Sequence, residues 1–276
     1  MNNPKVRLLA ITPDIRTLMS QVWDIAKTTT PVEQITPLLP LEIDNILSSD
    51  LPTTEYIQTV WCVEGMPRAF WDQFDRTRLA TFWEQSVRIL DLREFAASGG
   101  YWTPKSIENK PWAKSLYDEC MLVIQDTYNT LQTLGVPSEE ARGVLPLHLN
   151  VRGTCSINLR ALKTVIANRV CFISQGSYWL PIVSGMLQEL HKHLAPKTMR
   201  SLVNLPCEGK SSCPIESNVR VRLTYEDPNP VCPEYLRRFA KEGDREFTFS
   251  KHPDYVTVEQ EYFAFLETVR GERVGA

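Results

Sequence analysis

One strip of thirteen residues, 76–88, carries a high density of groups that can bind an anion. It includes three arginines, a carboxylate and a hydroxyl, at Arg76, Arg78, Glu84, Ser86 and Arg88. Guanidinium groups bind phosphate through charge-assisted and often bidentate hydrogen bonds. Arginines interleaved with apolar residues are also typical of a solvent-facing helix or strand edge with ion pairs. The strip therefore indicates a nucleotide site, with a plain surface element as the alternative.

Further arginines and amides that could contact a ligand lie on both sides of this strip. They are Gln73, Arg142, Asn158, Arg160 and Arg169. On a straight helix, Arg160 and Arg169 are separated by roughly 900° of rotation and about 13 Å of axial rise, which places them on opposite sides. They could serve two ligands or two subunits, but not one phosphate together.

Segments of both strand and helix character must position these residues. The predicted strands cover residues 6–11 and 56–63. The predicted helices cover residues 15–26, 41–47, 109–135, 158–171 and 257–271, with a shorter helix after Pro67 that carries Gln73 and Arg76. This order predicts an α/β (α+β) fold, a mixed sheet flanked by long helices. We expect a catalytic domain over residues 1–205 and a C-terminal extension over 206–276, packed on the core or on a neighbouring subunit.

Composition limits the classes of partner. The chain has 276 residues, 43% of them hydrophobic, a net charge of −3 and a pI near 5.9. There is no overall basic field to attract a nucleic acid polymer or an anionic membrane. The sequence shows neither an apolar run of about 18 to 20 residues nor a signal-like N-terminal stretch. We expect a cytoplasmic protein without a nucleic acid or membrane partner.

The seven cysteines are scattered, which favours reduced thiols over a disulfide framework. Cys207, Cys213 and Cys232, with His191 and His193 upstream, supply enough soft ligands for a tetrahedral zinc site. Their spacing is not that of a zinc finger or ribbon. We therefore predict free thiols and no metal, with zinc as the alternative.

The strip resembles the signature of the flavin-dependent thymidylate synthases: Arg-His-Arg, two residues, Ser, one residue, Asn-Glu, one residue, Ser, one residue, Arg-Tyr. Arg76, Arg78, Glu84, Ser86 and Arg88 stand at matching positions. The sequence departs from the signature at four places, with Thr77 for His, Thr81 for Ser, Trp83 for Asn and Ile89 for Tyr. Segments 64–73, 140–147 and 156–169 are similar to further family segments in the same order. The chain is identified as a divergent member of this family.

The resemblance implies a function for the chain. Members transfer a methylene group from methylenetetrahydrofolate to C5 of a pyrimidine nucleoside monophosphate, of the dUMP to dTMP type, and reduce it with hydride from FAD, which NADPH reduces. Members are homotetramers with active sites shared between subunits. An arginine that stabilises negative charge on the uracil activates the ring.

The resemblance also implies residue roles. Arg169 matches the catalytic arginine that holds the uracil. The substrate contacts implied are Gln73, Glu84, Ser86, Arg88, Arg142 and Arg169. The cofactor contacts implied are Arg76, Arg78, Trp83, Asn158 and Arg160.

Two alternatives stay open, because Thr77, Trp83 and Thr164 replace groups that the family places near the flavin. One is a C5 hydroxymethylase on the same scaffold, acting on dUMP, UMP or dCMP without net reduction. The other is a catalytically silent nucleotide-binding paralogue. The sequence leaves the choice between uracil and cytosine, and between deoxyribose and ribose, undecided.

Overall fold

The computed structural model describes residues 4–172, 178–214, 232–240, 244 and 255–270. The chain folds as two compact units, one of residues 1–11 with 58–158 and one of residues 12–57 with 159–276. The chain therefore passes twice from the first unit to the second. The predicted boundary after residue 205 lies inside the second unit, and the division into 1–205 and 206–276 stays a prediction.

The secondary-structure elements follow one another in a mixed order. In chain order they are β1 (Lys5–Ile11), α1 (Ile15–Ile25), a 3-10 turn (Val32–Gln34), α2 (Pro40–Ser48), a 3-10 turn (Pro52–Tyr56), β2 (Gln58–Pro67), α3 (Arg68–Phe74), β3 (Ala80–Glu84), α4 (Lys105–Glu108), α5 (Pro111–Thr133), α6 (Ser138–Ala141), a 3-10 turn (Arg142–Val144), β4 (Asn150–Asn158), α7 (Leu159–Val170), α8 (Trp179–Leu190), α9 (Pro196–Leu202), α10 (Pro233–Arg238) and α11 (Tyr255–Arg270). The α+β class is confirmed.

The first unit is built on a four-stranded sheet in the order β1-β2-β4-β3. All three pairs of neighbouring strands are antiparallel. The predicted mixed sheet was wrong in this respect, because strands that run in the same direction, such as β2 and β3, are separated in the sheet by another strand, and the strands that do pair run in opposite directions. Ile11, for example, pairs with Thr59, and Glu84 pairs with Gly153.

The central strand β4 has one packed face and one open face. Every second residue of the strand faces the packed side, as the two-residue period of a strand requires. These residues are Val151, Gly153, Cys155 and Ile157. A Cβ at Gly153 would lie 2.8 Å from the ring of Trp71 on α3. Glycine at this position therefore lets α3 pack closely against the sheet.

The short helix α3 buries Phe70, Trp71 and Phe74. The sequence predicted a helix here that carries both Gln73 and Arg76. Gln73 does lie on α3, but Arg76 lies beyond the end of the helix, so that part of the prediction was wrong. The amide of Thr77 donates to Phe74 O at 2.9 Å, and Leu79 adopts a left-handed φ of 63°. That turn ends the helix and directs the chain into β3.

The second unit is a helical assembly around α7, whose Leu159, Leu162, Ile166 and Val170 are buried. Tyr262 on α11 donates its hydroxyl to Val170 O at 3.1 Å, so the terminal helix docks onto α7. Within the described ranges, no helix has the length and apolar character needed to cross a membrane.

Candidate functional site

A cavity of about 630 Å³ lies in the first unit, at the end of β3. Four of the residues predicted to contact substrate line it, namely Glu84, Ser86, Arg88 and Arg142. The ladder between β3 and β4 continues past the strand end, since Gln85 N donates to Arg152 O at 2.9 Å. This pairing holds the segment 84–88 beside the segment 142–149 that forms the opposite wall.

Two of the predicted arginines, both of which line this cavity, converge on one carboxylate. Arg88 Nη1 donates to Glu139 Oε1 at 3.0 Å, and Arg142 Nη2 lies 3.9 Å from the same oxygen. Arg142 Nε also donates to the main-chain oxygen of Glu139 at 3.0 Å. Two guanidinium groups are therefore already directed at a single anionic oxygen.

Ser86 shapes the turn that carries Arg88. Its main-chain oxygen accepts from the amides of Ile89 at 3.1 Å and Leu90 at 3.3 Å. Its hydroxyl oxygen accepts from the amide of Arg88 at 3.3 Å. Serine here fixes the turn and presents a hydroxyl at the cavity wall, where an anion can accept from it.

Glu84 supplies a carboxylate to the lining of this cavity. Arg68 Nη1 donates to its Oε2 at 2.9 Å, and the Glu84 side chain keeps 16% of its surface exposed. Burial raises the pKa of Glu84, while the positive charge of Arg68 opposes that rise. The carboxylate is an acceptor suited to a hydroxyl or amide donor of a ligand.

Gln73, also predicted to contact substrate, is exposed on α3 and does not line this cavity. Arg169, predicted as catalytic, belongs to the second unit. Its guanidinium lies 4.2 Å from the ring centre of Trp179, and burial lowers its pKa. The roles of both residues stay predictions.

Of the predicted cofactor residues of the strip, only Trp83 lies on β3, on the opposite face from Glu84. Trp83 follows the alternation of the strand onto the open face, and 80% of its surface is exposed. Arg76 and Arg78 are exposed in the turn before the strand. Within the described residues neither arginine makes an ion pair. Two guanidinium groups and an accessible indole fit a ligand with both phosphates and an aromatic ring, as in a flavin dinucleotide.

Asn158 and Arg160, the other predicted cofactor residues, have different surroundings. Asn158 is buried at the end of β4, with 7% of its surface exposed. Arg160 on α7 forms an ion pair of 2.5 Å with Glu55. Arg160 and Arg169 thus contact different elements of the second unit, as their spacing on the helix predicts.

Two residues of the cavity region were missed as site residues. Arg68 lines the cavity and pairs with Glu84, and its place in the family-like segment 64–73 was the available signal. Glu139 lies three residues before Arg142 on a short helix, a spacing that pairs opposite charges.

The cysteines are unbonded at all seven positions. Burial raises the pKa of Cys155 and of Cys232 to about 12, so both thiols hold their protons at neutral pH. Among the residues that the structure describes, no group of three or more His, Cys, Asp or Glu side chains is arranged to hold a metal ion. The zinc alternative has no support from this geometry.

Comparisons with known proteins relate this chain to a family. The family described as "Thymidylate synthase complementing protein" matches residues 43–179. The flavin-dependent thymidylate synthase of Nitratidesulfovibrio vulgaris is 27% identical over 236 residues, which is 76% of this chain and 91% of that protein. The enzyme of the same name from Geobacter sulfurreducens is 24% identical over 222 residues, with coverage of 76% and 93%.

A solved structure shares the fold. It is the UMP/dUMP methylase PolB from Streptomyces cacaoi bound with 5-Br dUMP, with a TM-score of 0.56, 16% sequence identity, and coverage of 73% of this chain and 95% of that chain. The chain belongs to the flavin-dependent thymidylate synthase family, as a divergent member. The predictions of the family and of a thymidylate synthase-like transferase are confirmed at this level.

Proposed function

We propose that this protein methylates C5 of a pyrimidine nucleoside monophosphate, of the dUMP to dTMP type. Methylenetetrahydrofolate is the one-carbon donor, and NADPH is the reductant through FAD. Family membership supports the reaction class. The observation that carries the substrate class is the convergence of Arg88 and Arg142, which both line the cavity, on one carboxylate oxygen.

The carboxylate of Glu139 marks where a phosphate would bind. Its side chain is 61% exposed, so its ion pairs with the two arginines are weak and open to exchange with a ligand. A phosphate offers more acceptor oxygens and more charge than a carboxylate, and guanidinium groups bind it in bidentate geometry. The hydroxyl of Ser86 adds a third donor at the same wall.

The base of the nucleotide needs a different group. C5 of a uracil becomes nucleophilic when electron density moves through the ring, and a guanidinium at the carbonyl edge stabilises that charge. We assign this role to Arg169, from this chain or from a neighbouring subunit of a homotetramer with shared sites. Gln73 and Glu84 are proposed as further nucleotide contacts.

We propose that FAD binds at the accessible indole of Trp83 and the guanidinium groups of Arg76 and Arg78. Asn158 and Arg160 are proposed as further contacts. Trp83 can stack on an aromatic ring, and the arginines can pair with phosphates. When bound, FAD supplies the hydride that converts the transferred methylene group to methyl. We further propose that the protein works in the cytoplasm.

Substitution of the two converging arginines tests the substrate class. Arg142→Ala and Arg88→Ala should each weaken dUMP binding by about tenfold or more in calorimetric titration, because each removes a charge-assisted hydrogen bond. Glu139→Gln should bind dUMP at least as tightly as the wild type, because it removes a competing anion. Arg93→Ala, which removes an exposed arginine outside this cavity, is the matched control.

Equal dUMP affinity in the wild type and in Arg142→Ala and Arg88→Ala would contradict the assignment. The mass of the product distinguishes the possible activities. A methylated nucleotide supports the proposal, a hydroxymethylated one favours the hydroxymethylase, and nucleotide binding without product favours the silent paralogue.

A further inference from the structure

One charged group in the lining of the cavity, the guanidinium of Arg68, has no role in the function proposed above. Arg68 is the first residue of α3. Its amide donates to Leu149 O at 3.0 Å, and the amide of Ala69 donates to Leu147 O at 3.0 Å. Leu147 and Leu149 also line the cavity, so these hydrogen bonds fix the start of α3 against the cavity wall.

Two carboxylates of this chain engage the guanidinium of Arg68. Its Nη1 donates to Glu84 Oε2 at 2.9 Å, and its Nη2 lies 3.6 Å from Asp72 Oδ1, one turn further along α3. The Glu84 side chain is 16% exposed, whereas Glu139, which Arg88 contacts, is 61% exposed. A ligand can displace an exposed carboxylate more easily than a largely buried one. Arg68 is therefore committed to its own chain.

The side chain of Glu84 is confined along its stem as well as at its carboxylate. A Cβ at Gly153 would lie 3.1 Å from Glu84 Cγ, and Trp71, which packs at the same glycine, is fully buried. The stem of Glu84 is thus packed against β4, and Arg68 holds its carboxylate. This arrangement fixes the direction in which the carboxylate can accept a hydrogen bond.

An ionised carboxylate can recognise only part of a nucleotide. It accepts hydrogen bonds and donates none, so it repels a phosphate and accepts from hydroxyl and N–H groups. In a nucleotide those donors belong to the sugar and the base. Ser86, Arg88 and Arg142 line the same cavity and supply donors that suit a phosphate. The lining therefore combines donors for the phosphate with an acceptor for the nucleoside.

The charges around Glu84 show what Arg68 contributes. Burial raises the pKa of Glu84, the positive charge of Arg68 lowers it, and the negative charges of Asp75 and Asp72 raise it. From β4, the residue packed against this side chain is Gly153, which brings no charge. Without Arg68, Glu84 would take up a proton at a higher pH and lose its capacity as an anionic acceptor.

We propose that Arg68 is a positioning residue of the nucleotide site. It fixes the carboxylate of Glu84 at the cavity, where that carboxylate accepts from a hydroxyl or N–H donor of the nucleoside. The cavity thereby selects a nucleotide over a bare phosphate. This inference rests on the proposed nucleotide site and adds to it a residue that acts through Glu84 rather than on the ligand.

Calorimetric titration with dUMP near neutral pH, combined with a double-mutant cycle, tests this role. Arg68→Ala should weaken dUMP binding by about tenfold, because the acceptor loses its orientation and charge. In a Glu84→Gln background the same substitution should change dUMP affinity by less than about twofold, because Arg68 acts through that carboxylate. Arg68→Lys, which keeps the charge, should recover most of the affinity. Arg93→Ala, which breaks an ion pair outside this cavity, is the matched control.

Two further readouts separate positioning from a purely structural role. Glu84→Gln should weaken dUMP binding but not the binding of inorganic phosphate, because it removes an acceptor and a negative charge. Between about pH 5 and pH 8, the loss of dUMP affinity on acidification should begin at a higher pH in Arg68→Ala than in the wild type or in Arg68→Lys. The phosphate of free dUMP titrates in the same way in every measurement, so a difference between variants reports the protein.

The outcomes distinguish this inference from the proposed function. If Arg88→Ala and Arg142→Ala weaken dUMP binding and Arg68→Ala does not, Arg68 has no positioning role and the nucleotide site stands. A tenfold loss that persists in the Glu84→Gln background would show that Arg68 contacts the ligand or only supports the fold. A wild type that binds no dUMP would overturn the nucleotide site and this inference together. Thermal melts report folding, and Arg68→Gln replaces Arg68→Ala in each comparison if the alanine variant does not fold.

Discussion

The two faces of β3, which carry the two halves of the candidate site, differ in ion pairing and in exposure to solvent. On one face Glu84 leads into a cavity where ion pairs already hold Arg68, Arg88 and Arg142. On the other face Trp83 is 80% exposed. A strand sends neighbouring residues to opposite faces, so adjacent positions have separate surroundings. The arginines on the proposed nucleotide side are held by carboxylates of this chain, whereas the indole on the proposed flavin side is open to solvent.

The largest expected effect separates binding from turnover. Arg169→Ala should lower the turnover of dUMP by roughly 10² to 10³, because a group that stabilises charge on the base is lost. The phosphate end of the site is intact in this variant, so dUMP affinity should change much less. Steady-state turnover and calorimetric titration of the same preparation measure both quantities.

The control for this prediction is Arg169→Lys, which retains a positive charge near Trp179 without the planar fork of donors. Circular dichroism should show that both variants keep the fold. If Arg169→Ala turns over dUMP as fast as the wild type, Arg169 has no role in the mechanism. The proposed site would then consist of the cavity residues alone.

A smaller effect is expected on the open face. Trp83→Ala should weaken FAD binding by roughly two- to tenfold, because aromatic stacking contributes about 0.5 to 1.5 kcal/mol. Flavin fluorescence titration measures this affinity. The thermal stability of the variant should be nearly unchanged, since the side chain is 80% exposed.

Trp112→Ala is the matched control for the open face, because Trp112 is 72% exposed on α5 and has no proposed flavin contact. Both variants should bind dUMP as the wild type does. If Trp83→Ala binds FAD as tightly as Trp112→Ala, the flavin does not stack on this indole, and the two faces of β3 do not divide the site.

The smallest expected effect is the contribution of Glu84, on the cavity face of β3, to the pH dependence of the free energy of unfolding. Burial raises the pKa of Glu84 above its ordinary value of 4.5, so the folded state keeps this proton to higher pH than the unfolded chain does. Its contribution to the free energy of unfolding is present at lower pH and is lost as the pH rises through the folded pKa. Glu84→Gln cannot titrate and should lack this loss.

Urea unfolding of wild type and Glu84→Gln between about pH 4 and pH 7 measures the difference. The wild type should lose stability relative to the variant as the pH rises. A difference that is constant, or that changes in the opposite direction, would show that Arg68 rather than burial controls this carboxylate.

Much of the fold could be predicted from periodicity. The helices predicted at 15–26, 109–135 and 158–171 occur as α1, α5 and α7, within two residues at each end. The strands β3 and β4 were missed. β3 lies within the arginine-rich strip, where charge obscures the apolar alternation. In β4 the packed positions include Gly153, whose missing side chain interrupts the pattern that Val151, Cys155 and Ile157 would otherwise show.

The candidate site could be predicted in part. Glu84, Ser86, Arg88 and Arg142 were found from their order along the chain, and they line one cavity. Glu139 could not be assigned to the site in the same way, because an exposed carboxylate becomes informative only when two arginines are seen to converge on it.

The sequence by itself determined which chemical groups this protein contains and in what order they occur. Residue identity and spacing are enough to specify the charges and hydrogen-bond donors that are typical of a family. The tertiary structure alone decided which of those groups share a cavity. The antiparallel pairing of β3 with β4 brings Glu84 beside Gly153 across a long separation in the chain. The alternation of side chains along β3 then turns Trp83 away from its neighbour, because successive residues of a strand face opposite sides.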